Sequence, residues 1–224
     1  MGTSDTFWSL LDDEEREALG RLGVRLELPA ERQLVAQGDA SDHLLVVLRG
    51  WIKVVSHSAA GYRALLALRG PGELLGEQAG LERGRRSASL HTATDAVLLE
   101  LTAARFHAFA RSRPVVARAL EQSLSRRLRE ADLQRSGINE PVSVRLAAIL
   151  LELGDRCGEP GPGGGELRIG LRLSQDDLAG LALSSRRTVS RVLEQWRRDG
   201  LISTGRQSLS LLQADRLKQL AFGG

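Results

Sequence analysis

The densest set of chemistry-bearing side chains lies in LSQDDLAGLALSSRRTVSRVLEQWRRDGLIST, residues 173–204. Two short helical patterns meet at a serine pair, and the second carries Arg186, Arg187, Arg191, Arg197 and Arg198. On a wheel of about 100° per residue with Arg187 at zero, Val189, Val192, Leu193 and Trp196 fall between about 140° and 240°. Ser190, Arg191, Glu194 and Arg198 fall within about 60° of Arg187, on the opposite face. Arg186 lies to one side, at the helix start, from where a long side chain reaches forward. Such a helix buries Val, Leu and Trp and presents arginines outward. A guanidinium is a permanently charged, planar fork that fits phosphate oxygens or the O6/N7 edge of guanine. The chemistry is recognition of an anionic partner. An ordinary amphipathic helix with a solvated face would also carry these arginines, so the neighbouring elements must decide.

Those neighbours have a definite order. The preceding short helix has apolar Leu178, Leu181 and Ala182, with small Ala179 where a second helix must pass closely. Ser184 or Ser185 is placed to cap the arginine helix. Upstream, VSVRLAAILLELGDRC reads as a helix, GEPGPGGGE as a loop and LRIGL as a short strand; downstream, LISTGRQSLSLL reads as a hairpin turning near Gly205. Helix, strand, helix, helix, hairpin is the order of a winged helix. In a helix-turn-helix the first residues of the second helix meet base edges in the major groove, so double-stranded DNA is the expected partner.

The rest of the chain has a different texture. From about 24 to 101, short apolar runs such as VRLEL, HLLVVL, WIKVV and AVLLEL are broken by turn residues, the pattern of an antiparallel β-roll or barrel. Before it, Asp12 and Glu15 have capping-box spacing at the start of a helix. After it, a helical pattern runs from near Leu101 to about Ser136. Ala117, Leu120, Leu124, Leu128 and Ala131 form its apolar stripe, which serves either to join two copies of the chain or to pack on the chain's own barrel.

Composition bounds the function. The 224 residues suit one large domain or two small ones, and the net charge of +3 permits nucleic-acid binding without requiring it. One cysteine, Cys157, excludes an internal disulfide. The four histidines are scattered, so no metal site is expected, and no nucleophile–base set suggests an enzyme. No apolar run is long enough to span a membrane. A soluble, cytoplasmic, α+β protein is expected.

The stretch from Leu173 to Ile202 resembles the helix-turn-helix of the cyclic-AMP receptor protein/FNR (Crp/Fnr) family of bacterial transcription regulators. DHLLVVLRGWIKV and GPGELLGEQAGLERGRRSASL resemble that family's cyclic-nucleotide-binding β-roll. The resemblance covers nearly the whole chain and implies three parts: a β-roll over residues 1–110, a dimerisation helix over 111–136 and a winged helix-turn-helix over 137–224. It implies a homodimer on a palindromic operator, with RNA polymerase as a further partner. The DNA-contacting set it implies is Ser185, Arg186, Arg187, Ser190 and Arg191. Relatives often have Glu where Arg187 stands, and glycine is usual at the turn position of Leu183, where positive φ disfavours a Cβ.

The resemblance also implies an effector pocket framed by Gly76, Glu77, Arg86 and Ser87. Arg86 would pair with a phosphate, Ser87 would donate to it and Glu77 would accept from a ribose hydroxyl. Where the cyclic-AMP receptor uses hydroxyl side chains on adenine, this chain has Ala131 and Asp132; Asp132 can accept from a purine amino group. The implied effector is a cyclic nucleotide, cAMP or cGMP. Two alternatives stand beside this reading: a regulator that ignores nucleotides, and a sensing module whose winged helix contacts a protein.

Overall fold

The computed structural model describes residues 6–58, 63–82, 84–161, 165–205 and 208–223. The chain divides into two compact units, Met1–Gly61 with Ala67–Leu133, and Tyr62–Leu66 with Gln134–Gly224.

In the first unit, Asp12 caps α1 (Asp13–Leu22) by accepting the Glu15 N–H at 2.9 Å. The strands follow: β1 (Val24–Leu28), β2 (Gln33–Val35), β3 (His43–Arg49), β4 (Ile52–His57), β5 (Arg63–Arg69, of which 67–69 lie in this unit) and β6 (Leu74–Leu75). A short helix, α2 (Glu77–Glu82), precedes β7 (Ser89–Thr92) and β8 (Ala96–Thr102). Two sheets result, in the orders β1-β8-β3-β6 and β2-β7-β4-β5. Side chains alternate across a strand, and in β3 and β8 both faces are covered. Leu45, Val47, Ala96 and Leu98 pack with Val35, Ile52 and Leu90. Leu44, Val46, Leu99 and Leu101 pack instead with Phe7, Leu19, Phe106 and Val116. This double burial is why HLLVVL and AVLLEL are unbroken apolar runs rather than alternating ones.

The helical stretch after the β-roll is two helices, α3 (Ala103–Ser112) and α4 (Pro114–Ser136). Arg113 between them is extended, with φ −134 and ψ 95, as expected of a residue before proline. Pro114 then starts α4, where its missing N–H costs nothing. The expected dimerisation helix therefore begins at Pro114, not near 111. Its stripe is divided: Leu120 is buried in the core of the first unit and Leu124 packs against it, whereas Leu128 is 61% exposed; Leu133, outside the stripe, is 71% exposed.

The second unit holds α5 (Val142–Cys157), β9 (Gly158–Pro160), β10 (Leu167–Ile169), α6 (Gln175–Leu181), α7 (Arg186–Arg198), β11 (Ile202–Thr204), β12 (Leu209–Leu211) and α8 (Ala214–Phe222). Its sheet runs β11-β12-β10-β9. Two features depart from expectation. Gly158–Pro160, read as loop, pairs with β10, Gly158 opposite Ile169 and Pro160 opposite Leu167. After the hairpin, α8 buries Leu217 and packs on α5. The hairpin closes with the Gly205 N–H donating to the Ser208 carbonyl at 2.8 Å; positions 206–207, and 162–164 of the glycine-rich loop, lie outside the described residues. Among the described residues, no helix is long and apolar enough to cross a membrane.

Candidate functional site

The pocket in the first unit is built around a buried guanidinium. Arg86 is 5% exposed. Its Nε donates to Ser41 Oγ at 2.9 Å, Nη1 to the Gly76 carbonyl at 3.1 Å and Nη2 to the His43 carbonyl at 2.6 Å. Gly76 permits this approach. It has φ +79, and a Cβ there would meet Arg86 Nη1 at 2.3 Å and the His43 carbonyl oxygen at 2.9 Å. Every hydrogen bond from this guanidinium, among the described residues, ends on a neutral oxygen. Burial lowers the Arg86 pKa, against the opposing fields of Asp42, Glu77, Asp39 and Glu100. A buried cation with neutral contacts is stabilised by an arriving anion, so the donor set fits a phosphate.

Glu77 is the first residue of α2 and is 5% exposed. Its carboxylate pairs with Arg127 of α4, which also donates to the Leu74 carbonyl. The preceding residue repeats the contact. Arg126 donates to Glu73 Oε1 at 3.1 Å, and Glu73, 2% exposed, also takes Arg69 at 3.4 Å and the Gly70 N–H at 2.8 Å. Glu130 closes the cluster by pairing with Arg69 at 3.0 Å. Burial disfavours the Arg69 charge, but Glu73 and Glu130 outweigh it and raise the Arg69 pKa. Two adjacent arginines of α4 thus grip two buried carboxylates on either side of β6 and Gly76.

Gly76, Glu77 and Arg86 are brought together. Ser87 is exposed nearby and donates to Gln78 Oε1 at 2.8 Å. Asp132 does not join them: it is exposed, and on an α-helix it points about 140° around from Arg127. Ser41, His43, Arg126 and Arg127 were not singled out by the sequence. Nothing local marks Arg127 as the partner of a carboxylate 50 residues upstream.

In the second unit the arginine helix has the two faces its sequence implies. Val189, Leu193 and Trp196 are 0%, 3% and 4% exposed, while Arg186, Arg187 and Arg191 are exposed. Ser185 is the N-cap, accepting the Thr188 N–H at 3.1 Å. Ser174 and Asp177 form a capping box on α6. Leu183, in the turn between the helices, has φ +47, so it adopts the left-handed conformation usually left to glycine. Arg145 of α5 steadies that turn by donating from Nε to the Ala182 carbonyl at 2.9 Å. One expectation changes: Ser190 is half-buried and donates to Gln175 Oε1 at 2.5 Å, tying α7 to α6 rather than facing outward.

The model of the Crp-like helix-turn-helix domain matches residues 144–220, and that of the cyclic nucleotide-binding domain matches residues 25–113. Over 228 aligned positions the chain is 36% identical to the Cyclic AMP receptor protein of Thermus thermophilus, covering 100% of this chain and 99% of that one. The chain belongs to the Crp/Fnr family of DNA-binding transcription regulators. Among solved structures, the Catabolite Activator Protein of Thermus thermophilus matches with 33% identity, 97% and 98% coverage and a TM-score of 0.53. A second CRP/FNR-family transcriptional regulator of Thermus thermophilus, TTHA1359, matches with 27% identity, 88% and 98% coverage and a TM-score of 0.75. For a Crp/Fnr regulator the two sites have distinct chemistry: a cation-centred pocket in the nucleotide-binding domain and an arginine-bearing helix in the DNA-binding domain.

Proposed function

We propose that this chain acts as a homodimer that reads a palindromic DNA operator with α7 and is controlled by a cyclic nucleotide held at Gly76, Glu77, Arg86 and Ser87. The observation that carries DNA readout is the division of α7 into a buried Val189–Leu193–Trp196 face and an exposed Arg187–Arg191 face. Arg186, Arg187 and Arg191 take base edges; Ser185 caps the helix whose first turn meets the duplex, and Ser190 braces that helix on Gln175. Dimerisation uses the distal half of α4, where Leu128 and Leu133 are exposed and burial on a second copy would remove about 25 cal/mol of unfavourable hydration per Å². Arg86 takes the phosphate and Glu77 the ribose hydroxyl. Asp132, exposed on α4 and turned away from these residues, is given no part in holding the purine. The bound dimer offers RNA polymerase a surface beside the operator.

A second reading has its own observation. Glu77 is already neutralised by Arg127, and each nitrogen of Arg86 already has one oxygen partner, so the pocket holds together without a ligand. Calorimetry of the purified chain with cAMP and cGMP separates the two. Heat of binding that saturates with one site per chain, and a change in operator affinity with it, is expected. No binding at millimolar nucleotide would leave DNA readout standing and favour the ligand-independent regulator.

A further inference from the structure

The first arginine of α7 differs from its neighbours in having a carboxylate beside it. Arg186 Nη1 lies 3.5 Å from Asp176 Oδ2, the two side chains being 66% and 52% exposed. Asp176 sits in the first turn of α6. The capping work there is done by the next residue, Asp177, which is 2% exposed and accepts the Ser174 N–H at 3.0 Å. Gln175, on the other side, accepts from Ser190 of α7. The first turn of the supporting helix therefore reaches α7 twice, at Arg186 and at Ser190. Arg187 and Arg191 have no ion pair or hydrogen bond from their side chains among the described residues.

A carboxylate at this rim is unfavourable for meeting a polyanion. It repels phosphates of any sequence equally, and an exposed ion pair contributes little to folding. Helix-dipole stabilisation of a first-turn Asp is of similar size. Neither effect needs the contact with Arg186. What the contact does is restrict a guanidinium that carries five N–H donors in one plane. Asp176 lies beside one terminal nitrogen, Nη1, at 3.5 Å, and leaves the other donors of the guanidinium for a partner. Without it, Arg186 is at liberty to swing to a phosphate, a contact that carries no sequence information.

The geometry points to Asp176 as a specificity-determining positioning residue, which holds Arg186 for base readout and repels its phosphate-bound alternative. This rests on the reading of α7 as the base-reading helix.

The test uses the full-length chain with Asp176→Ala and Asp176→Asn. Binding is measured by fluorescence anisotropy at several salt concentrations. The probes are an operator selected from random duplexes by the wild type, the same operator changed at the base pair most sensitive to Arg186→Ala, and a random duplex. Both variants should bind the random duplex about threefold to tenfold more tightly, with a salt slope steeper by about one. Discrimination at the Arg186-dependent base pair should fall at least threefold, with other base pairs unaffected. In an Arg186→Ala background, Asp176→Ala should not change discrimination further. A uniform gain on all three probes with discrimination intact would mean that Asp176 acts as a bulk charge, and the proposal would be wrong. If the wild type shows no sequence preference, or Arg186→Ala alters discrimination nowhere, base reading by this residue fails, and the role of Asp176 falls with it.

Discussion

Gly76→Ala isolates the contact on which the effector pocket is built. The new Cβ would stand 2.3 Å from Arg86 Nη1 and 2.9 Å from the His43 carbonyl oxygen, at φ +79. Backbone strain at positive φ costs about 1–2 kcal/mol. The displaced guanidinium loses its bonds to the Gly76 and His43 carbonyls, now 3.1 and 2.6 Å long. Charged hydrogen bonds contribute about 1.5–3 kcal/mol each, although pivoting about the Nε–Ser41 bond recovers part of that. A net loss of about 3–5 kcal/mol follows, against the ~5–15 kcal/mol that holds a domain together. The variant should stay folded, with its urea midpoint lowered by about 2 M at a slope near 2 kcal/mol/M, and should lose nucleotide binding in calorimetry. Gly38→Ala supplies the control, because Gly38 has φ +87 but a methyl added there would meet nothing within 4 Å; it should cost only the backbone strain. Equal destabilisation by the two substitutions would refute the idea that Gly76 exists to admit Arg86.

Arg127→Ala strands the buried Glu77 carboxylate without its cation. The urea midpoint of the first unit should then reflect a loss of about 3–5 kcal/mol, mostly recovered when Glu77→Gln is added. At the helix-turn-helix, Leu183→Asn should be at least as stable as the wild type in thermal unfolding because Asn tolerates φ +47; Leu183→Val should be less stable by about 1 kcal/mol. Burial pushes the Cys157 thiol from 9.0 up to about 11. Only the thiolate alkylates, so at pH 8 iodoacetamide should react about 100-fold more slowly than with a thiol of pKa 9.0, and the rate should rise about tenfold per pH unit until near pH 11. A rate that levels off near pH 9 would contradict this environment.

The arginine helix was legible because its evidence is local: buried and exposed faces alternate within one stretch, and Ser185 stands where a cap must. The strands of the β-roll were legible for a similar reason, since β3 and β8 need apolar residues on both faces. What was missed depends on partners distant in sequence. Gly158–Pro160 has the composition of a loop and becomes a strand only because β10 pairs with it. The wheel placed Ser190 on the outward face, about 60° from Arg187, and could not show Gln175 beside it. Pro114 did signal a break, yet helical periodicity on both sides masked it. Most of all, the clasp of Arg126 and Arg127 on Glu73 and Glu77 joins residues 53 and 50 positions apart, which only the packing of α4 on the β-roll brings together.

The central claim is that α7 reads bases through its exposed arginines, and Arg191→Ala tests it most directly. Anisotropy titrations should compare the selected operator with a random duplex at a fixed salt concentration. Loss of a bidentate base contact predicts an operator affinity weaker by about 1–3 kcal/mol, with a much smaller change on the random duplex and relaxed preference at one base pair per half-site. Equal weakening on both duplexes, with a salt slope shallower by about one, would mean that Arg191 touches only phosphate.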